Sequence, residues 1–489
     1  MINKKTNFIT DLSKMISGPF VVKAIGLITL PIIARFFSPD AYGDFSLFMA
    51  IFGPIGIIIT LGYDVAILKP KKNQELYHLI AVCIMSTLFF TLLSSLVILI
   101  YSDFIIEFSG IDTKYSKFFF LIPAFIFFGG VSETLKYLNL RNNNYLSLSF
   151  SSISSTSSNR LTSIILGALG YVNSISLILA VFLESIIKPL FLFFSSLKSF
   201  SNLLKVNFKF SVLKSTVLNY YKYPLYIMPS NLVSRVNSDS LVYILFFLFS
   251  QSIVGNFSMA MKILKIPLNL ISNSIGETYF SKKFTNIENE KKLLISIIKM
   301  TLFIGLLPFS ILSIIGLEMF TLIFGNNWAI AGIIAQLLSL SIFLQFVFST
   351  LQFVMINLNR QDLVFKYKLL NFLSILISMF IGYLLDNYII AISFYSFFGI
   401  TINLAFGILV YAKINISSTE LFKIFLDFFK SSFPFLMMVL ILKLYFELPS
   451  LILIILSFII VITNYFVVIK TNSEIRLELK KIKIFKNIL

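Results

Sequence analysis

The chain reads as an all-α integral membrane protein of about fourteen transmembrane helices: two parallel six-helix repeats followed by two appended helices. Three observations predict this. First, 57% of its 489 residues are hydrophobic and 13% charged, with a mean hydropathy of +0.92. Apolar runs recur from end to end, and loops are too short for a separate catalytic domain. Second, the net charge of +18 is distributed unevenly. Lysine and arginine fall at the N-terminus and after every second apolar run: Lys69 to Lys72, Arg141, Lys198 to Lys222, Lys282 to Lys292, Arg360 to Lys366, Lys413 to Lys423, and Lys470 to Lys486. That is the positive-inside pattern, and it places both termini in the cytoplasm. The basic excess is topological, so nucleic acid is excluded as a partner. Third, Phe37-Ser38-Pro39-Asp40-Ala41-Tyr42-Gly43-Asp44-Phe45-Ser46 echoes as Phe249-Ser250-Gln251-Ser252-Ile253-Val254-Gly255-Asn256-Phe257-Ser258. An even number of crossings separates the copies, so both halves run in the same direction around a central site. The same offset places Lys23 on Arg235.

A crossing helix needs roughly 20 apolar residues. The first seven spans are 15–36, 45–68, 79–101, 118–140, 146–169, 174–196 and 223–249. The others are 252–275, 293–324, 329–358, 367–386, 388–412, 428–446 and 449–470. Span five contains the serine-rich tract from Ser147 to Ser158 and is retained because its loss would break the charge alternation. Ser38-Pro39 predicts an N-cap followed by proline at the first helical position. Pro19, Pro31, Pro54, Pro224, Pro229, Pro267 and Pro308 lie inside spans and predict bends. The expected organisation is an N-terminal lobe (1–200), a basic inter-lobe loop (201–222), a C-terminal lobe (223–412), an appended pair (413–472) and a basic tail (473–489). The tail pattern suits the anionic inner leaflet.

Charges within the bilayer carry the functional signal, since each costs roughly 3 kcal/mol at mid-helix and must face protein or water. The cations Lys23, Arg160, Arg235, Lys262 and Lys265 are candidates for an electropositive substrate site. Asp64 and Asp239 are candidate ion couplers, Asp64 also being a possible partner for Lys23. Spacing explains some charges within one helix: Glu133 with Lys136, Glu184 with Lys188, and Arg235 with Asp239. Spans nine to twelve have almost no ionisable residue in their interiors. A cationic membrane site favours an anionic substrate, and arginine's planar fork suits phosphate.

Catalytic chemistry finds no constellation. His78 reads as surface at the cytoplasmic mouth of span three, no Cys/His set has metal-ligand spacing, and no glycine-rich phosphate loop occurs. No cofactor or metal is therefore expected. The single Cys83 excludes an internal disulfide. Trp328 reads as outer aromatic belt, and Tyr220, Tyr221, Tyr223 and Tyr226 as the inner one.

The region from Gly18 to Lys69, with Ala34-Arg35-Phe36-Phe37-Ser38-Pro39, Tyr42-Gly43-Asp44-Phe45-Ser46 and Thr60-Leu61-Gly62-Tyr63-Asp64, resembles polysaccharide flippases of the Wzx type. Val254-Gly255-Asn256-Phe257-Ser258 supports the resemblance. These flippases share a superfamily with MATE multidrug exporters and lipid II flippases. The resemblance implies a V-shaped twelve-helix core plus two helices, working by alternating access in the bacterial inner membrane. It implies an undecaprenyl-pyrophosphate-linked oligosaccharide as substrate, moved toward the periplasmic leaflet, and contact with other polysaccharide-assembly membrane proteins. Lys23, Arg235 and Lys262 match the positions of cationic cavity residues in helices one, seven and eight, with lysine replacing arginine at 23. About two negative charges moving outward gain on the order of 5 kcal/mol per 100 mV, enough to bias direction without ATP. The alternatives are a MATE-like cation or drug antiporter, which calls for a dominant unpaired carboxylate, and a membrane-embedded polymerase or glycosyltransferase. For the last, the only outer segment with suitable carboxylates is Ser102–Lys117.

Overall fold

The computed structural model describes residues 8–109, 119–203, 210–268, 287–358, 360–414, 416–446, 448–471 and 475–476. Among these, every regular element is a helix. The Ser102–Lys117 carboxylates, the loop before Lys292 and the basic tail lie wholly or largely outside the residues whose side chains are described. Contacts divide the chain into two units, Met1–Phe246 and Phe247–Leu489.

The first unit contains α1 (Phe8–Phe36), α2 (Pro39–Ile58), α3 (Tyr63–Ala66), α4 (Asn73–Ser109), α5 (Ile122–Arg141), α6 (Tyr145–Ala168), α7 (Ser174–Leu203), α8 (Phe210–Asn219) and most of α9 (Met228–Leu248). The second contains α10 (Gln251–Leu264), α11 (Ile287–Phe324), α12 (Ala329–Phe348), α13 (Leu351–Asn357), α14 (Gln361–Leu384), α15 (Tyr388–Lys413), α16 (Ser418–Leu444) and α17 (Ser450–Thr471). Ten of the described helices are long and apolar enough to cross a membrane: α2, α4, α5, α7, α11, α12, α14, α15, α16 and α17. The other four expected spans fall on α1, α6, α9 and α10.

The serine tract forms a regular helix. On α6, Ser151, Ser155, Asn159, Ser163 and Gly167 are all buried and recur every four residues. This narrow row of small side chains lets α6 pack closely on both α1 and α7. Ser151, Ser155 and Ser163 return their hydroxyls to the carbonyls of Leu148, Ser152 and Asn159 at 3.0, 3.2 and 2.9 Å. Their polarity is thus satisfied within the helix.

The repeated motif starts its helix in the same way in both copies. Ser38 Oγ accepts from the Ala41 amide and Ser250 Oγ from the Ile253 amide, each at 3.3 Å. Asp44 and its counterpart Asn256 are both buried. Asn256 donates to the Ser252 carbonyl at 2.9 Å and accepts from the Ala331 amide at 3.0 Å, satisfying a free donor in the first turn of α12. Asn256→Leu leaves that amide unpaired, and a loss of about 1–3 kcal/mol is expected. It is read as a lowered thermal midpoint of the detergent-purified protein; an unchanged midpoint would remove Asn256 as a tie between α10 and α12.

Three sequence expectations are corrected. His78 is fully buried, not surface. Helix α4 begins at Asn73, so His78 sits more than a turn inside it, its Nδ1–H donating to the Gln74 carbonyl at 2.7 Å. Trp328 is also fully buried rather than lying in a lipid-facing belt. The 3-10 turn Asn326–Trp328 packs against both α11 and α12, which encloses the indole in protein. Span 45–68 is not one helix: α2 ends at Ile58 and the chain turns through Leu61 (φ 52°) and Gly62 (φ 76°) before α3. The left-handed conformation at Gly62 is free for glycine, whereas at Leu61 it is strained.

Candidate functional site

The four expected spans outside the strongly apolar set carry Lys23 on α1, Arg160 on α6, Arg235 on α9 and Lys262 on α10. In the first unit irregular backbone gathers at the start of the α9 region. The Leu61-Gly62 turn meets the start of the α9 region, where a Cβ on Gly62 would lie 3.3 Å from the Tyr223 carbonyl oxygen. That partner is itself irregular, a π turn over Tyr223–Ile227 containing Pro224. Transporters place broken helices of this kind where non-helical backbone lines a site rather than facing lipid.

Arg235 projects from α9 toward α2. Its Nε donates to Asp239 at 2.6 Å, as the four-residue spacing predicts. The guanidinium lies against Gly53, where a Cβ would fall 2.5 Å from a terminal nitrogen. Gly53 is therefore a notch that admits the arginine head, and the following Pro54 weakens the helix at the same place. Adding a methyl with Gly53→Ala must move the flexible guanidinium rather than the backbone. Activity that depends on this site is expected to fall about tenfold with protein still present in the membrane fraction; wild-type activity in that variant would separate the notch from function.

Arg160 and Lys23 are brought onto neighbouring helices. The Arg160 guanidinium lies 3.9 Å from the Cβ position of Gly26. Lys23 is exposed and precedes Gly26 by three residues, about 4.5 Å along the helix. Arg160 Nε is buried without a hydrogen-bond partner. Asp64 is not joined to Lys23 by an ion pair among the described residues. It is buried and accepts from Thr60 Oγ1 at 2.8 Å, held by its own turn. In the second unit Lys262 and Lys265 are half-buried, at and just beyond the last turn of α10.

Other charges choose partners across helices. Glu133 pairs with Lys136 at 2.7 Å, as expected, and also approaches Lys188 of α7 at 3.9 Å. Glu184 takes the Asn159 amide of α6 at 2.6 Å, so the expected bond within α7 gives way to one between α6 and α7. Just outside the spans, Tyr220 donates to Glu75 at 3.0 Å. Partial burial, then the Glu75 carboxylate, push its phenol up to about 12.

The sequence reading missed Glu318 of α11, which pairs with Lys443 of α16 at 2.9 Å. Lys443 also donates to the Ile314 carbonyl at 2.6 Å, and Gln336 of α12 donates to the same oxygen at 2.8 Å. These bonds pin the break at Ile315, where φ is −114° and ψ 20°. The signal was an isolated acid in a long apolar run.

No curated protein matches this sequence. Among solved structures, the lipid II flippase MurJ in an inward closed conformation is similar at 16% identity and a TM-score of 0.72, covering 93% of this chain and 98% of that one. A MATE family multidrug resistance transporter of the MOP superfamily is similar in its inward-facing conformation at 12% identity and a TM-score of 0.60 (79% of this chain, 93% of that one). An outward-facing MATE conformation gives 12% and 0.56 (83% and 94%). The shared fold is that of a multi-pass helical membrane protein. The family model for polysaccharide biosynthesis proteins matches residues 11–280, more than half of the chain and all four helices bearing the candidate cations. The chain belongs to the polysaccharide biosynthesis protein family.

Proposed function

We propose that this protein flips an undecaprenyl-pyrophosphate-linked oligosaccharide from the cytoplasmic to the periplasmic leaflet of a bacterial inner membrane by alternating access, for surface polysaccharide assembly such as O-antigen. The observation that carries this reading is Arg160, a half-buried guanidinium with an unbonded Nε, beside the α1 turn that bears Lys23. A buried donor without a partner is rare, and a phosphate oxygen is the acceptor that a guanidinium suits best. Arg235 supplies a second fork in the same unit; Lys262 and Lys265 are cations of the second unit, at the end of α10 and just beyond it. Asp239 serves as the resident counter-ion of Arg235, and Asp64 and Asp239 are the sites for any coupled proton or sodium. Membership in a polysaccharide biosynthesis family and the flippase-like fold agree with this assignment.

The test is deletion of the gene followed by probing of sidedness. Lipid-linked oligosaccharide is expected to accumulate where only a cytoplasmic-face reagent reaches it, and to return to the outer leaflet on complementation. Normal outer-leaflet exposure in the deletion strain refutes the reading. Drug sensitivity without lipid accumulation points to antiport, and glycosidic bond formation by the purified protein points to an enzyme.

A further inference from the structure

Helices α14 and α15 form an antiparallel hairpin in the second unit, beyond the stretch matched by the family model. A cavity of about 350 Å³ opens along it, lined almost entirely by apolar atoms apart from Lys366 and Thr401. Its floor is aromatic: Tyr367 and Phe406 are buried, with ring centroids 4.4 Å apart. The Tyr367 hydroxyl donates to Asn403 at 2.9 Å, so the floor presents no unmet polar group. Leu370 and Leu409 form exposed walls, and the small side chain of Ala405 leaves the space between them.

We propose that this groove binds one anionic phospholipid of the surrounding bilayer, its acyl chain over Tyr367 and Phe406 and its phosphate at Lys366. Two observations select this occupant, independently of the transported substrate. The lining runs from Thr401 to Val410 on α15, about 13 Å of helix. That is close to half of the ~30 Å hydrocarbon core, the depth of one leaflet. The positive charge also lies only in the half of the hairpin away from its 385–387 turn, with Lys366 beside Tyr367 in the lining. Lys366 is exposed and has no ion pair among the described residues. Lys368 and Lys413 are exposed at the same end of the hairpin, whereas Arg360 is neutralised by Asp362 at 2.9 and 3.0 Å. A basic rim above an apolar furrow between helices is complementary to an anionic headgroup carrying a hydrocarbon tail.

The experiment is native mass spectrometry of the full-length protein in detergent. It is titrated with phosphatidylglycerol and with phosphatidylethanolamine of identical chains. Wild type is expected to hold one phosphatidylglycerol about fivefold more tightly. Lys366→Glu should abolish that preference and Lys366→Arg should keep it. Ala405→Trp should reduce occupancy by both lipids. Equal binding of the two lipids by wild type, or an unaltered preference in Lys366→Glu, overturns the proposal. Displacement of phosphatidylglycerol by an equimolar polyprenyl phosphate also overturns it, assigning the groove to a prenyl tail instead. Should Ala405→Trp fail to fold, the exposed Lys366 substitutions decide alone.

Discussion

Arg235→Ala is expected to abolish surface polysaccharide while the protein remains at normal abundance in the membrane. Removing a guanidinium fork from a phosphate costs about 2–4 kcal/mol, a loss of roughly 30- to 1,000-fold in transport. The competing explanation is that Arg235 only neutralises Asp239, with which it shares a 2.6 Å bond. Asp239 is the more enclosed partner, with 15% of its side chain exposed against 41% for Arg235. Stranding it would carry a cost of its own. Judged against an Asp239→Ala background, since Asp239 is also a proposed ion-coupling site, the double variant Arg235→Ala/Asp239→Ala separates the two explanations. If arginine serves the carboxylate, the double variant regains transport because no charge is left unpaired. If it serves the substrate, the double variant stays inactive. Arg235→Lys should recover only part of the function, since lysine supplies the charge without the planar pair of donors. Substrate sidedness and immunoblotting of membranes read all three variants.

Gly332→Leu is expected to prevent stable folding altogether. Helices α11 and α12 approach so closely that a Cβ on Gly332 would lie 2.7 Å from Leu317 Cα and 2.8 Å from the Gly316 carbonyl oxygen. The opposing atoms belong to a helical backbone and cannot swing aside. Overpacking alone typically costs 1–3 kcal/mol, and separating these helices would also disturb buried Trp328 and the bonds from Asn256 to Ala331 and Gln336 to Ile314. Within a bilayer, close packing and such bonds hold helices together, because lipid is as apolar as leucine. Fluorescence-detected size exclusion should show loss of the monodisperse peak. Gly56→Ala is the control: nothing lies within 4 Å of its Cβ position, and its profile should match wild type. A Gly332→Leu protein that elutes and melts like wild type would show that this crossing can relax.

The Arg235–Asp239 pair within the candidate site was legible in the sequence because its signal is local. Arg235 and Asp239 sit one helical turn apart, and any α-helix there brings them together. Gly53 was not legible as a site residue, since its importance comes from a side chain 182 positions away. Glu184 shows the same limit: the Lys188 spacing was correct, but Asn159 of α6 offered a bond across the helix packing. Exposed pairs at that spacing are worth only a few tenths of a kcal/mol, so a neighbouring helix readily changes the choice.

By itself, the sequence determined that the chain is helical and membrane-spanning, with Ser38 and Ser250 starting matched helices, because hydrophobic length and helix capping act within a few residues. Only the tertiary structure decided that His78 and Trp328 are enclosed, that Leu61-Gly62 breaks the second span, and which partner each buried charge takes. Those outcomes depend on side chains and backbone supplied by helices far apart in the chain, where close packing selects among local alternatives of nearly equal energy.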